Sequence, residues 1–193
     1  MSMESNLGSE RNVGALDPLA RRLADGDPDA PRELVERHRH ELYRYARALL
    51  RDDLAAEDAV QGAFERAFAA LGKYPEERTR TLSLRPWLYR ITLNVIRNAW
   101  RDGCREVPVG EIPEPEEQPG VGREAWLDAL EALGTLSERQ RVAVTLRYLE
   151  DLPYAGIAEA TGWPENTCKT LVRRGVARLG ALLSKRPVGE GDS

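Results

Sequence analysis

The 193-residue sequence predicts an all-α protein: two small helical domains joined by a flexible, acidic, proline-rich linker, with a helix-turn-helix in the second domain. Three observations predict it. Apolar residues recur at three- and four-residue spacing through every long segment, the period of a helix with one buried face. Residues 107–122 break that period with prolines at 108, 113, 115 and 119 set among glutamates, which can neither continue a helix nor supply the apolar residues of a strand. In residues 152–179, LPYAGIAEATGWPENTCKTLVRRGVARL, two helical patterns meet at Gly162 and Pro164, a left-handed stop followed by a helix start.

The elements follow in order. Residues 1–18 are polar and without sustained period, a flexible tail. Leu19 and Leu23 begin a short helix that stops near Gly26, and residues 30–50 form a longer one with Leu34, His38, Leu42, Tyr45, Ala46 and Leu49 at helical spacing. Asp52 and Asp53 are candidate caps for the next helix, whose apolar stripe is Ala56, Val60, Ala63, Phe64, Ala67, Phe68 and Leu71. Its early outer face is acidic through Glu57 and Asp58, suited either to solvent or to a basic partner. Residues 72–81 read as a loop. A third long helix starts near Ser83 or Pro86, runs through Trp87, Leu88, Ile91 and Val95 toward Asp102, and displays Arg90, Asn94, Arg97, Asn98 and Arg101. Aromatics alternate with arginines there, the combination that stacks on unpaired bases and holds phosphate, with Trp87 or Tyr89 as the stacking ring. Trp87 also fits the core, which is the preferred reading, and Trp100 fits either place.

The linker of residues 106–122 serves either as a spacer that holds two DNA-binding halves apart or as an acidic strand for a basic channel of a partner. The second domain occupies residues 123–186. Trp126, Leu130 and Leu133 form one apolar face, Ser137 or Thr135 caps a helix carrying Val142, Leu146 and Leu149, and Leu179, Leu182 and Leu183 complete the packing before the polar tail of residues 187–193. Within the helix-turn-helix, Ile157, Ala158 and Thr161 turn inward from the first helix and Cys168, Leu171, Val172 and Val176 from the second. A helix-turn-helix lays its second helix in the major groove. Glu165, Asn166, Thr167, Lys169 and Thr170 then face bases or adjacent backbone, and Arg173, Arg174 and Arg178 face phosphates. The plainer alternative is a surface hairpin of helices with solvated charges.

The net charge of -4 does not oppose DNA binding, because the signs are segregated: between Glu106 and Glu124 the chain carries Glu111, Glu114, Glu116 and Glu117 against Arg123, whereas residues 169–186 hold six basic residues and no acidic one. No catalytic residue, metal site or cofactor is expected. His38 and His40 stand two apart and diverge on a helix, Cys104 and Cys168 lack ligand spacing, and there is no phosphate loop or serine elbow. Cys168 reads as a small buried hydrophobe, while Cys104 lies beside Arg101 and Arg105, which would lower its thiol pKa if it is exposed. With no signal segment and no long apolar span, the expectation is a cytoplasmic chain without membrane insertion.

Three motifs, LAAEDAVQGAFERAFAAL at 54–71, LRPWLYRITLNVIRNAWRD at 84–102 and LSERQRVAVTLRYLEDLPYAGIAEATGWPENTCKTLVRRGVARL at 136–179, stand in this order with the linker before the third. The arrangement resembles the sigma-70 family of bacterial RNA polymerase subunits, specifically the small extracytoplasmic-function type with only the second and fourth conserved regions. It covers residues 31–105 and 123–185. The resemblance implies a non-enzymatic promoter-specificity factor that binds core RNA polymerase and directs promoter recognition, DNA opening and transcription initiation, with region 2 in residues 19–105 and region 4 in residues 123–186. It implies that Glu57, Asp58, Gln61 and Phe64 belong to the helix docked on the polymerase, Phe64 more as packing. It places Tyr74, Trp87, Asn94, Arg97 and Arg101 at the unpaired non-template strand of the minus-ten element. Glu165, Asn166, Thr167, Lys169, Thr170, Arg173, Arg174 and Arg178 are placed on the minus-thirty-five duplex. It also implies control by an anti-sigma protein that covers either the docking helix or the helix from Glu165. Gly62 and Gly156 stand where the family commonly has glutamate, and Cys168 where valine is common. Two other readings are a conventional helix-turn-helix regulator whose first domain senses a ligand or dimerises, and an adaptor that binds protein through its acidic helix and linker.

Overall fold

The structure, a computed structural model, describes residues 17–101 and 123–183, and every regular element among them is helical. Helix α1 spans Pro18–Ala24: Asp17 accepts a hydrogen bond from the Leu19 N–H at 3.0 Å, Pro18 supplies a preset φ, and Gly26 at φ 73° turns the chain away. Helix α2, Ala30–Leu50, buries Leu34, His38, Leu42, Tyr45, Ala46 and Leu49, the residues its period selects. It ends at Arg51, a left-handed C-cap at φ 62°. Helix α3, Asp53–Leu71, is capped by Asp52, which accepts from the Ala55 N–H at 2.7 Å. Asp53 instead ties α3 to α2, pairing with Arg47 and accepting from the Tyr43 hydroxyl at 2.9 Å.

Residues 72–81 depart from the expected loop. Glu76–Arg80 form a one-turn helix, α4, with Glu76 and Glu77 in its first turn and Arg78 and Arg80 at its end, the order that suits the peptide dipoles. Arg80 reaches Asp25 at 2.5 Å, so α4 is fastened to the end of α1. Helix α5, Leu84–Arg101, then packs against α3 and α2, and Leu84, Leu88, Leu93 and Ile96 are fully buried.

The second half contains α6, Arg123–Gly134, and α7, Glu138–Val144, which Ser137 caps while its own N–H donates to Gln140 Oε1 at 3.3 Å. The expected continuation of α7 to Leu149 widens into a π-helical turn over Thr145–Leu149, and Asp151 at φ 46° completes the reversal. Helices α8, Tyr154–Thr161, and α9, Glu165–Leu183, are joined at Gly162, whose φ of 74° provides the left-handed stop. On α9 the packed face is rotated from the expected one. Cys168 and Val172 are buried, but Val176 is exposed and Gly175 lies inward, where a Cβ would come within 2.6 Å of Val144 Cγ2. Leu179 packs as expected, whereas Leu182 is exposed.

The two halves touch directly. Helix α8 lies along α5, and the end of α2 meets α6 and α7, where Ala48 is buried among Leu130, Leu133, Leu136 and Val144. Arg141 of α7 donates to the carbonyl oxygens of Leu133 at 3.1 Å and of Leu49 on α2 at 3.0 Å. The linker of residues 106–122 lies outside the described residues.

Candidate nucleic-acid interface

On α3, Glu57, Asp58 and Gln61 form an exposed polar face, with Gln61 Nε2 donating to Glu65 at 3.1 Å. Phe64 is turned inward and stacks on Phe68 with ring centroids 6.3 Å apart. Leu54 belongs to the same face by its spacing of three, four and seven residues from the polar trio and is 70% exposed. Periodicity alone passes over it because it stands outside the apolar stripe, although that position is itself the signal.

The candidate minus-ten residues divide. Trp87 is 6% exposed and its ring tilts against Tyr74 at 6.3 Å, with the Arg78 guanidinium 3.7 Å over Tyr74. Trp87 therefore occupies the core, which agrees with the core reading. Tyr74 is half-buried. Asn94, Arg97 and Arg101 are brought together with Asn98, Trp100 and Glu138 of α7 around an open cleft of about 600 Å³. The guanidinium of Arg97 lies 5.6 Å from the Trp163 ring and that of Arg139 lies 4.7 Å from it, both within cation–π range.

On α9, Glu165, Asn166, Lys169, Arg173, Arg174 and Arg178 are exposed and Thr167 and Thr170 half-buried. Lys169 pairs with Glu165 one turn earlier at 2.7 Å, and Thr170 Oγ1 donates to Asn166 O at 2.9 Å. Beneath this surface, Cys168 is buried among core residues and burial pushes its thiol up. The helix thus sits on an apolar floor with a cationic strip at its outer face, a geometry suited to polyanion contact.

A polar network between the halves is not legible in the sequence. Glu150 follows the π-helical turn and its side chain is wholly buried. Its carboxylate accepts from the Tyr89 hydroxyl at 2.6 Å and from Arg44 at 3.0 Å, while Arg85 donates to its backbone oxygen at 2.6 Å. Burial raises the Glu150 carboxyl above its ordinary value despite these donors, and burial with the nearby carboxylates raises the Tyr89 hydroxyl. Arg90 donates to the carbonyl of Glu159 on α8 at 2.7 Å. Among the described residues there is no group of three or more histidine, cysteine, aspartate or glutamate side chains that could hold a metal, and no helix long and apolar enough to cross a membrane.

Comparison with known proteins places both halves. A family model described as Sigma-70 region 2 matches residues 34–106, and one described as Sigma-70, region 4 matches residues 126–179. The chain is 30% identical over 149 residues to an RNA polymerase sigma-E factor of Streptomyces coelicolor, covering 76% of this chain and 82% of the relative. It is 29% identical over 182 residues to RNA polymerase sigma factor NccH of Alcaligenes xylosoxydans xylosoxydans, covering 88% and 95%. Among solved structures it is similar to CnrH in complex with the cytosolic domain of CnrY, with a TM-score of 0.67 at 25% identity over 86% of this chain and 95% of that one. It is similar to the same degree, TM-score 0.67 at 25% identity, to the sigma factor RpoE in complex with the anti-sigma factor NepR from Bartonella quintana, over 81% and 98%.

Proposed function

Since the chain belongs to the sigma-70 family of RNA polymerase subunits, in its extracytoplasmic-function branch, and is a sigma factor directing transcription initiation, we propose how its surfaces divide that work. The exposed face of α3 bearing Leu54, Glu57, Asp58 and Gln61 docks on core RNA polymerase, and Phe64 supports it from within. Asn94, Arg97 and Arg101 hold the unpaired non-template strand of the minus-ten element, with Tyr74 at its edge. Trp87 backs that surface from the core. Helix α9 enters the major groove of the minus-thirty-five duplex, with Glu165, Asn166, Thr167, Lys169 and Thr170 toward bases and Arg173, Arg174 and Arg178 on phosphates. The observation that carries this reading is the exposed arginine strip of α9 above a buried helix-turn-helix floor, on the same chain as a second arginine-lined cleft.

No covalent step is required of the chain. Capturing bases that have left the stack lowers the cost of opening the duplex, and nucleotide addition belongs to the polymerase. We infer a cytoplasmic, non-enzymatic factor that cycles on and off core polymerase and is held in check by an anti-sigma protein, a partner seen with its structural relative RpoE. Run-off transcription from randomised promoter DNA with purified core polymerase tests the proposal. Chain-dependent initiation at sites sharing two elements a fixed distance apart is expected. Binding to neither core nor DNA by folded protein would sink it and favour the adaptor reading.

A further inference from the structure

Three guanidinium groups gather around the end of α5. Arg97 and Arg101 stand one turn apart on that helix, and Arg97 and Arg139 both lie over the Trp163 ring, at 5.6 and 4.7 Å. None of the three forms an ion pair with a carboxylate among the described residues. Arg101 donates instead to the side-chain oxygen of Asn98, and a guanidinium over a ring keeps the N–H groups in its own plane free. Like charges collected without a counter-charge repel one another, and an anion placed among them relieves that repulsion. The cleft of about 600 Å³ at this place is lined by Asn94, Arg97, Asn98, Trp100, Arg101 and Glu138. Its volume falls in the range of roughly 300–1,000 Å³ usual for small-molecule sites. Glu138 is the informative member, because it is exposed and pairs with none of the arginines. A carboxylate repels the phosphates of a passing DNA strand, whereas it accepts hydrogen bonds from the paired hydroxyls of a ribose, which DNA lacks.

We propose that this cleft binds a ribonucleoside 5′-triphosphate. Arg97 and Arg101 hold the phosphates, with Arg139 beside Arg97 at the Trp163 ring, each presenting the planar fork of donors that matches phosphate oxygens. Three cations without counter-charges suit a ligand that carries several negative charges. The base stacks on the half-buried indole of Trp100. Asn94 and Asn98, four residues apart on one face of α5, meet its edge. The Asn98 oxygen is already engaged by Arg101, which leaves its amide N–H groups to donate. Glu138 accepts from the ribose 2′ and 3′ hydroxyls. Stacking tolerates every base, so the ribose and the phosphates define the ligand class. The site is one of binding only, and no bond of the nucleotide is broken there. Arg97 and Arg101 are also assigned to the unpaired minus-ten strand, so nucleotide and strand exclude one another. That competition rests on the minus-ten assignment, whereas the nucleotide site does not.

The test is equilibrium dialysis of the full chain against ATP, GTP, 2′-deoxy-ATP and inorganic triphosphate, with the helicity of every variant checked by circular dichroism. ATP and GTP are expected to saturate the chain with a Kd below about 1 mM, the upper end of usual small-substrate affinities. ATP is expected to bind about fivefold more tightly than 2′-deoxy-ATP, and Glu138→Ala to remove that preference. Arg101→Ala combined with Arg139→Ala is expected to weaken ATP and 2′-deoxy-ATP alike by about tenfold. Inorganic triphosphate, which has neither base nor ribose, is expected to bind about tenfold less tightly than ATP. Equal binding of ATP and inorganic triphosphate would reduce the cleft to a cationic patch and overturn the proposal. A preference for ribose that is absent from the parent, or that survives Glu138→Ala, would overturn it as well. Binding of forked minus-ten DNA by the polymerase complex is measured alongside. A chain that binds forked DNA and no nucleotide sinks this proposal and leaves the promoter assignments standing. A chain that binds nucleotide, and whose Arg97→Ala, Arg101→Ala variant loses nucleotide while keeping forked DNA, leaves the site standing and sinks the minus-ten assignment instead.

Discussion

Arg173 and Arg174 rise from a helix whose opposite side is fixed by Cys168, Val172 and Gly175, so their guanidinium groups are held over the outer face. Replacing both with alanine is expected to weaken binding of the polymerase complex to minus-thirty-five duplex on the order of tenfold and to reduce the slope of log affinity against log salt by about 2, close to one for each phosphate no longer neutralised. Fluorescence anisotropy across a salt series checks both numbers. Gly175 is the matching position beneath. With its would-be Cβ 2.6 Å from Val144 Cγ2, Gly175→Val is expected to destabilise the chain by about 1–3 kcal/mol through overpacking, measured by urea denaturation. Periodicity in the sequence locates this face to within one residue and no better. It selects Val176 because valine is apolar, whereas close approach of α7 demands the residue with no side chain at 175. Trp87 shows the same limit, since an aromatic among arginines suits both stacking and packing, and only its seat against Tyr74 decides.

Elements of four or more turns are legible from the sequence because each displays several repeats of its apolar face, as α2 does from Leu34 to Leu49. Helix α4 is not, since five residues hold little more than one turn and carry no period, and its helicity follows from charge order and the Arg80–Asp25 tie. The π-helical turn after α7 escapes for a related reason: widening by one residue leaves composition unchanged while rotating everything that follows. Helix α3 shows how much an outer face can encode. Asp58 is exposed and not among the groups that hold the core, so Asp58→Lys is expected to leave stability within about 0.5 kcal/mol of the parent. The same change is expected to weaken core polymerase binding tenfold or more, on the order of 1.4 kcal/mol, by reversing the charge offered to a basic surface. Pull-down titration against core polymerase, paired with thermal denaturation, separates the two effects.

At the scale of the whole molecule, the meeting of the two halves is the least legible feature, because an apolar face announces that it will be covered and not by what. Glu150 reads as one more acid in a polar turn until Arg44, Arg85 and Tyr89, far away in the chain, are folded around it. Their arrangement gives the contact between the halves a pH dependence. Arg44 of α2 and Arg85 and Tyr89 of α5 face the Glu150 carboxyl as donors or cations, and Glu41 of α2 adds negative charge nearby. Burial leaves the carboxyl raised above its ordinary 4.5, so the folded chain binds a proton there more tightly than a chain with Glu150 in water. The stability contributed by this contact is then greatest below 4.5 and weakens as pH rises through the raised value. At Glu41 burial pushes upward but His38 and Arg85 together prevail, holding that carboxyl low, so its contribution is present above the ordinary carboxylate range and is lost only on further acidification. Stability followed by urea denaturation from acid to neutral pH should lose this contribution as pH rises, and Glu150→Gln should flatten that part of the profile. The bond from Arg90 to Glu159 and the contact of Arg97 with Trp163 have a consequence for the chain before it meets polymerase. A bacterial genome offers at least roughly 10⁶ non-specific sites, each attractive to a free polycation in proportion to the cations it can spend on phosphate. Two arginines already committed inside the molecule are withheld from that sink, so more of the factor stays in the unbound pool from which polymerase draws.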